Sequence, residues 1–187
     1  MDVKEAIKKR RAYRSLEPVE ITEELIYDLA GCAQIAASCF NNQSWRYLFV
    51  SGPKTLEDMH EALSQGNEWA KAASMIIVVF SKREEDCMIH DREYYLFDTG
   101  MATQSIILRA TELGLVAHPI AGYSPRKTRE IFGMPDEYNV IALVIVGNKS
   151  DKISKVLSEK QIEAEKKRPG RIPFDEFVYI NKYNRKG

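Results

Sequence analysis

Apolar positions along this chain switch between helical spacing and short unbroken runs. Val3, Ala6 and Ile7 fall on one helical face and predict a helix over 3–10, with Arg10, Arg11 and Arg14 at or just beyond its end. Pro18 interrupts the pattern. Thr22, followed by Glu23 and Glu24, is a candidate N-cap, and Leu25, Ile26, Leu29, Ala30, Ala33 and Ala37 trace a second helix ending near Ser38. Residues 45–51 read as a strand, Gly52-Pro53 as a turn, and 55–63 as a third helix with Leu56, Met59 and Leu63 on one side. The run from Met75 to Phe80 is β-rich and uninterrupted, the mark of a strand covered on both faces. From about 91 to 113, Leu96, Phe97, Met101, Ile106, Ile107, Leu108 and Leu113 surround most of a long helix, which predicts a central helix covered on all sides.

Gly114 is placed to cap that helix, 115–121 forms a short strand containing Pro119, and Gly122 marks a turn. A helix over 125–132 and an apolar strand over 140–146 follow, giving a sheet of about four internal strands. Beyond Gly147 the chain turns charged and polar, with a Lys/Glu-rich helix near 158–167 and a break at Pro169-Gly170. Phe177-Val178-Tyr179-Ile180 then reads as a strand with little core of its own to join, so it is expected to pair with a distant sheet edge or a partner subunit.

With 187 residues and 44% hydrophobic content, the chain supports one core and a single domain over 1–187. Lys+Arg and Asp+Glu both number 27, so no global field draws the protein toward nucleic acid or an anionic membrane. No apolar run approaches the roughly 20 residues that span a bilayer, and the lysine-rich start lacks a signal peptide's apolar region. A cytoplasmic protein is expected. Cys32, Cys39 and Cys87 show no CxxC spacing and are expected to be reduced thiols. His60, His90 and His118 lack metal-ligand spacing, so no metal is expected, and glycine-rich dinucleotide and P-loop motifs are missing.

The charge that matters is local. Lys8-Lys9-Arg10-Arg11-Ala12-Tyr13-Arg14 and Lys166-Lys167-Arg168-Pro169-Gly170-Arg171 cluster guanidinium groups of the kind that grip a phosphate. A fold that joins the two ends of the chain would close a phosphate site from both sides. Ser38 to Trp45 adds amides beside aromatic rings, which suit a planar heterocycle. Plainer roles compete at every position. The first cluster also complements a helix dipole, Asn41 and Gln43 suit a loop, Trp45 suits a core or dimer contact, Asn67 suits an N-cap, and His118 suits satisfied burial.

These motifs resemble the nitroreductase family of flavoproteins over nearly the whole chain. Arg10-Arg11-Ala12-Tyr13-Arg14 stands where that family has Arg-Arg-Ser-x-Arg, and Ala37 to Trp45 stands where it has Pro-Ser-x-x-Asn-x-Gln-Pro-Trp, with both prolines replaced. Asn67 matches a mid-chain asparagine, Gly114-Leu115 through His118-Pro119-Ile120-Ala121-Gly122 matches a Gly-Leu-strand-Gly segment, and Arg171-Ile172-Pro173 matches a C-terminal Arg before Leu-Pro. The resemblance implies an α+β fold, with a central, mostly antiparallel sheet flanked by helices. It also implies an intertwined homodimer with C-terminal strand exchange, in which 151–187 is an arm wrapping the partner.

The implied cofactor is FMN. Arg10, Arg14 and Arg171 would face its phosphate and polar edge, with contacts from Arg11 and Ala12, and Asn67 would join the site. Ser38, Cys39 and Asn41 would come from the opposite subunit, while Pro119, Ile120, Ala121 and Gly122 would lie along the ring near N5. Ala12 removes the family's serine hydroxyl, and Ala121 stands where many members have Glu. No catalytic side chain is implied, because hydride chemistry takes place at flavin N5, and Arg14 is the candidate for stabilising the reduced ring. The implied activity passes reducing equivalents from NADH or NADPH to a small acceptor such as a nitroaromatic or quinone in a ping-pong cycle. The alternatives are a flavin-binding protein without turnover and a nucleic-acid module stacking bases on Tyr13 and Trp45, the latter opposed by the balanced charge.

Overall fold

The computed structural model describes residues 1–183. Helix α1 (Val3–Lys9) opens the chain on a capping box between Asp2 and Glu5, and strand β1 (Leu16–Glu17) leads to α2 (Glu23–Gln34), capped by Thr22. Strand β2 (Trp45–Ser51), helix α3 (Pro53–His60) and strand β3 (Met75–Ser81) follow. A small hairpin, β4 (Met88–Ile89) and β5 (Arg92–Glu93), precedes the long helix α4 (Tyr94–Glu112). The remainder is β6 (Leu115–Ile120), α5 (Pro125–Phe132), β7 (Asn139–Lys149) and α6 (Glu159–Lys166).

The main sheet has five strands, and every pairing in it is antiparallel. Strand β7 is its centre, pairing with β3, β6 and the short β1. The unbroken apolar runs are explained by helices on both faces. Met75, Ile77, Val79, Val144 and Val146 point to one side, where Leu29 and Ala33 of α2 and Ala102, Ile106 and Ala110 of α4 cover them. Ile76, Val78, Leu143 and Ile145 point to the other, against Met59 of α3, Trp69, Ile131 and Ile162.

Several expectations need correcting. Helix α2 stops at Gln34, short of Ser38, and α3 begins earlier than expected because Pro53 supplies its first residue. On the single chain helix α4 is not covered all round, although the sheet, α1 and α2 all pack against it. Ala102, Ile106, Ile107 and Ala110 meet the sheet, whereas Leu96, Phe97 and Leu113 are exposed on the single chain. Residues 177–180 form no strand: they follow a short 3-10 turn at Phe174–Glu176 and bond only locally, so the expected exchanged strand is not formed within one chain. Within 151–187, Leu157 and Ile162 pack into the second core of their own chain.

Cys39 and Cys87 are not separate thiols. They form a disulfide with Cα atoms 6.2 Å apart, while Cys32 is free. Strand register is the reason. Trp45 at the start of β2 pairs with Ser81 at the end of β3, so the segments flanking those residues leave the sheet at the same end. Among the described residues no helix is long and apolar enough to cross a membrane.

Candidate functional site

The two ends of the chain meet where α6 packs against the residues that follow α1. Arg11 donates through Nη2 to the carbonyls of Ala164 and Glu165 at 2.7 and 3.2 Å, and Arg168 donates to those of Lys8 and Arg10 at 2.6 and 2.9 Å. The buried Glu165 carboxylate accepts from the backbone N–H groups of Arg14 and Ser15 at 2.7 and 3.3 Å. These bonds fix the path of the basic turn. They also hold Arg10, Arg11, Arg14, Arg168 and Arg171 around one cavity of about 130 Å³, with Ala12 in its wall.

That cavity has a larger neighbour of about 510 Å³, with which it shares Arg10, Arg168 and Arg171. Pro119 of β6, Gln104 and Ile107 of α4 and Ile7 of α1 complete the larger space. Among the described residues none of the five arginines is in an ion pair. Burial lowers the Arg10 pKa from its ordinary value, and the positive charges of Arg168, Arg171 and Arg11 lower it further. An anion in this place would relieve that repulsion.

His118 ties the cluster to the sheet. Its Nδ1 lies 2.9 Å from the Tyr13 carbonyl, which can only accept, so Nδ1 carries the proton. The ring stacks on Trp69 with centroids 4.7 Å apart, and the Arg14 guanidinium lies over the same indole at 5.8 Å. Burial is the main cause of a His118 pKa lowered to about 4, and the charge of Arg14 works in the same direction. His118 is therefore a neutral structural residue near pH 7.

Of the residues singled out in the sequence, Arg10, Arg11, Ala12, Arg14 and Arg171 converge, and Pro119 joins them through the larger cavity. Ile120 is buried in the second core, and Ala121 is exposed beyond the strand. Asn67 donates to the Gly122 carbonyl at 2.9 Å and accepts from Trp69 Nε1 at 3.2 Å, so its amide is engaged within the fold and does not cap the helical turn after it. Ser38 and Cys39 line a separate groove with Phe97 and Met101, and Asn41 is exposed in the loop beside it. On one chain these three do not line the arginine cavities. Gln104 and Glu165 had no signal in sequence. Arg168 belonged to the second basic run but had no motif position to distinguish it.

The match to the nitroreductase family covers residues 7–68 and 66–148, and the chain belongs to that family. A solved structure described as an oxidoreductase containing FMN is 26% identical, with a TM-score of 0.83 over 97% of this chain and 92% of that one. A nitroreductase family protein from Clostridium novyi is 28% identical, with a TM-score of 0.74 over 81% of this chain and 87% of that one. An NADH dehydrogenase from Thermus thermophilus is 26% identical over 178 residues, 79% of this chain and 86% of that protein. The fold is therefore the α+β nitroreductase fold, and the protein is an oxidoreductase by family.

Two outcomes follow from this geometry. A Cβ on Gly122 would sit 2.1 Å from Asn67 Nδ2, an atom fixed by its bond to the Gly122 carbonyl. Gly122→Ala should cost about 1–3 kcal/mol in urea unfolding, with partial recovery in a Gly122→Ala/Asn67→Ala double variant. His118 titrates near 6.5 unfolded and about 4 folded, so between those values the unfolded chain binds the extra proton. Stability should therefore fall as pH drops from about 6.5 toward 4. Between pH 7 and 5 the native protein should lose on the order of 2 kcal/mol more than a His118→Gln variant, and parallel pH profiles would contradict the assignment.

Proposed function

We propose that this protein is an FMN-dependent oxidoreductase that works as a homodimer and passes reducing equivalents from NAD(P)H to a small oxidised acceptor. The observation carrying this reading is the set of five arginines, drawn from both ends of the chain, around a cavity of about 130 Å³ that adjoins one of about 510 Å³. The donor set fits the cofactor: guanidinium forks match a phosphate monoester, and the larger space lies within the usual size of a small-molecule site. Family membership and the solved relative that contains FMN point the same way.

Arg10, Arg11, Arg14, Arg168 and Arg171 hold the phosphate end in this reading, with the Ala12 backbone beside them. Bound FMN supplies reversible two-electron chemistry at its ring. Pro119 gives the larger cavity an apolar wall, and Gln104 an amide for a polar edge. Arg10, Arg168 and Arg171 also line the larger cavity and keep the potential positive where negative charge would develop on the ring, whereas Arg14, which lies over Trp69, lines only the smaller one. One such space has to serve electron donor and acceptor in turn, which supports a ping-pong cycle with a nitroaromatic or quinone as acceptor.

Exposed apolar side chains support the homodimer. Ile35, Phe40 and Phe97 are 84%, 82% and 62% exposed on the single chain, more than scattered surface residues require. A second copy covering them would bring Ser38, Cys39 and Asn41 to the partner's cavity, and residues 172–183, whose hydrogen bonds are only local, would be able to reach that copy.

Arg171→Ala should weaken FMN binding roughly ten- to hundredfold in a fluorescence titration, the effect of removing one charge-assisted contact of about 1.5–3 kcal/mol. Unchanged affinity would remove Arg171 from the site. NADH or NADPH should bleach the bound flavin under anaerobic conditions; if neither does, the protein binds flavin without turning over. Truncation after Gly170 should weaken the dimer in light scattering, and a dimer as stable as the full chain's would show that the tail does not bridge subunits.

A further inference from the structure

The arginines of the junction are not all aimed in the same way. Arg11 is directed by the carbonyls of Ala164 and Glu165, Arg168 by those of Lys8 and Arg10, and Arg171 by those of Pro169 and Gly170 at 3.3 Å each. Arg14 bonds to Glu165 through its backbone N–H, and among the described residues its side chain is in no ion pair. What that side chain lies against is an aromatic face, with the guanidinium carbon 5.8 Å from the centroid of the Trp69 ring. A cation held there is attracted by the ring's negative face.

The ring is itself immobilised. Trp69 is 2% exposed, and its only donor, Nε1–H, is satisfied by Asn67 Oδ1 at 3.2 Å. The other end of that amide donates to the Gly122 carbonyl just beyond β6, so the indole is tied to the sheet. His118 stacks on it at an interplanar angle of 25° and donates through Nδ1 to the Tyr13 carbonyl. Trp69 therefore acts on the basic turn twice, on the Tyr13 backbone through the imidazole and on the Arg14 side chain directly. Yet it lines neither arginine cavity and would touch no phosphate there. We propose that Trp69 is a positioning residue for the cofactor phosphate: its fixed indole face orients the Arg14 guanidinium toward the smaller cavity before the anion arrives. A guanidinium ordered in advance loses less rotamer freedom on binding, which is how a ring that never meets the ligand strengthens its grip. The inference rests on the FMN reading above and adds a residue that the arginine motif does not contain.

The test titrates the cofactor-free full chain with FMN and with riboflavin, which lacks the phosphate. Trp69→Leu should weaken FMN about three- to thirtyfold, the size of a lost cation–π contact, and riboflavin by less than about twofold. Trp69→Phe keeps an aromatic face and should recover part of the FMN affinity. In an Arg14→Gln background Trp69→Leu should leave the FMN to riboflavin ratio unchanged, because the ring acts through that guanidinium. Where the leucine variant does not fold, fluorinated tryptophan placed at position 69 keeps the ring's shape and weakens its negative face; FMN affinity should then fall at least about twofold with riboflavin unmoved. Equal losses for the two flavins would make Trp69 a core residue only and overturn the proposal. So would an unchanged FMN affinity, or a loss that persists without Arg14. A wild-type protein that binds FMN no better than riboflavin would sink the phosphate reading and this inference with it, whereas a wild-type preference that Trp69 variants retain in full would sink the Trp69 role alone.

Discussion

Five guanidinium groups share the junction between the first and last parts of the chain, and like charges at such a place stay together only if something else fixes them. The carbonyls of Lys8, Arg10, Ala164 and Glu165 do this by accepting from Arg168 and Arg11 across the junction. Glu165 is the buried counterweight, spending its carboxylate on the backbone N–H groups of Arg14 and Ser15 and forming no ion pair with the arginine side chains. The site therefore depends on α6 docking against the start of the chain. In the proposed reading an anion completes the electrostatics that the fold begins.

The sheet supplies the platform. Because β3 and β7 are buried on both faces, their position is set by two cores at once, and β6 inherits that rigidity through its pairing with β7. His118 and Pro119 are neighbours on β6 with separate roles: the first turns inward to hold Tyr13, and the second faces the larger cavity. Positioning groups on a strand in this way gives more precision than a loop can. The 38–45 segment is the contrast, a strained loop whose shape rests on one disulfide and a few side-chain bonds.

Much of this could be read from sequence where the signal was local. The strands at 45–51 and near 75–80 and 140–146 were marked by their apolar residues, and the helix expected over 125–132 has those bounds in the fold. The arginine convergence was legible as two basic runs at opposite ends of the chain, and the family pattern shared by both runs strengthened that reading. What stayed hidden depends on register or on long-range packing. The Cys39–Cys87 pair spans 48 residues and follows from the pairing of β2 with β3, which no cysteine spacing encodes. Periodicity shows that Leu96 and Phe97 are apolar, but not whether the sheet or another surface covers them. Glu165 looked like any solvated glutamate until α6 was placed.

The central claim is that the arginine cluster exists to hold a phosphate. Titrating the cofactor-free protein with FMN and with riboflavin, which differ only by that phosphate, tests it most directly. FMN should bind at least a hundredfold more tightly, on the order of 3 kcal/mol for several charge-assisted contacts, and the gap should narrow as salt is raised. Equal affinities for the two would contradict the account.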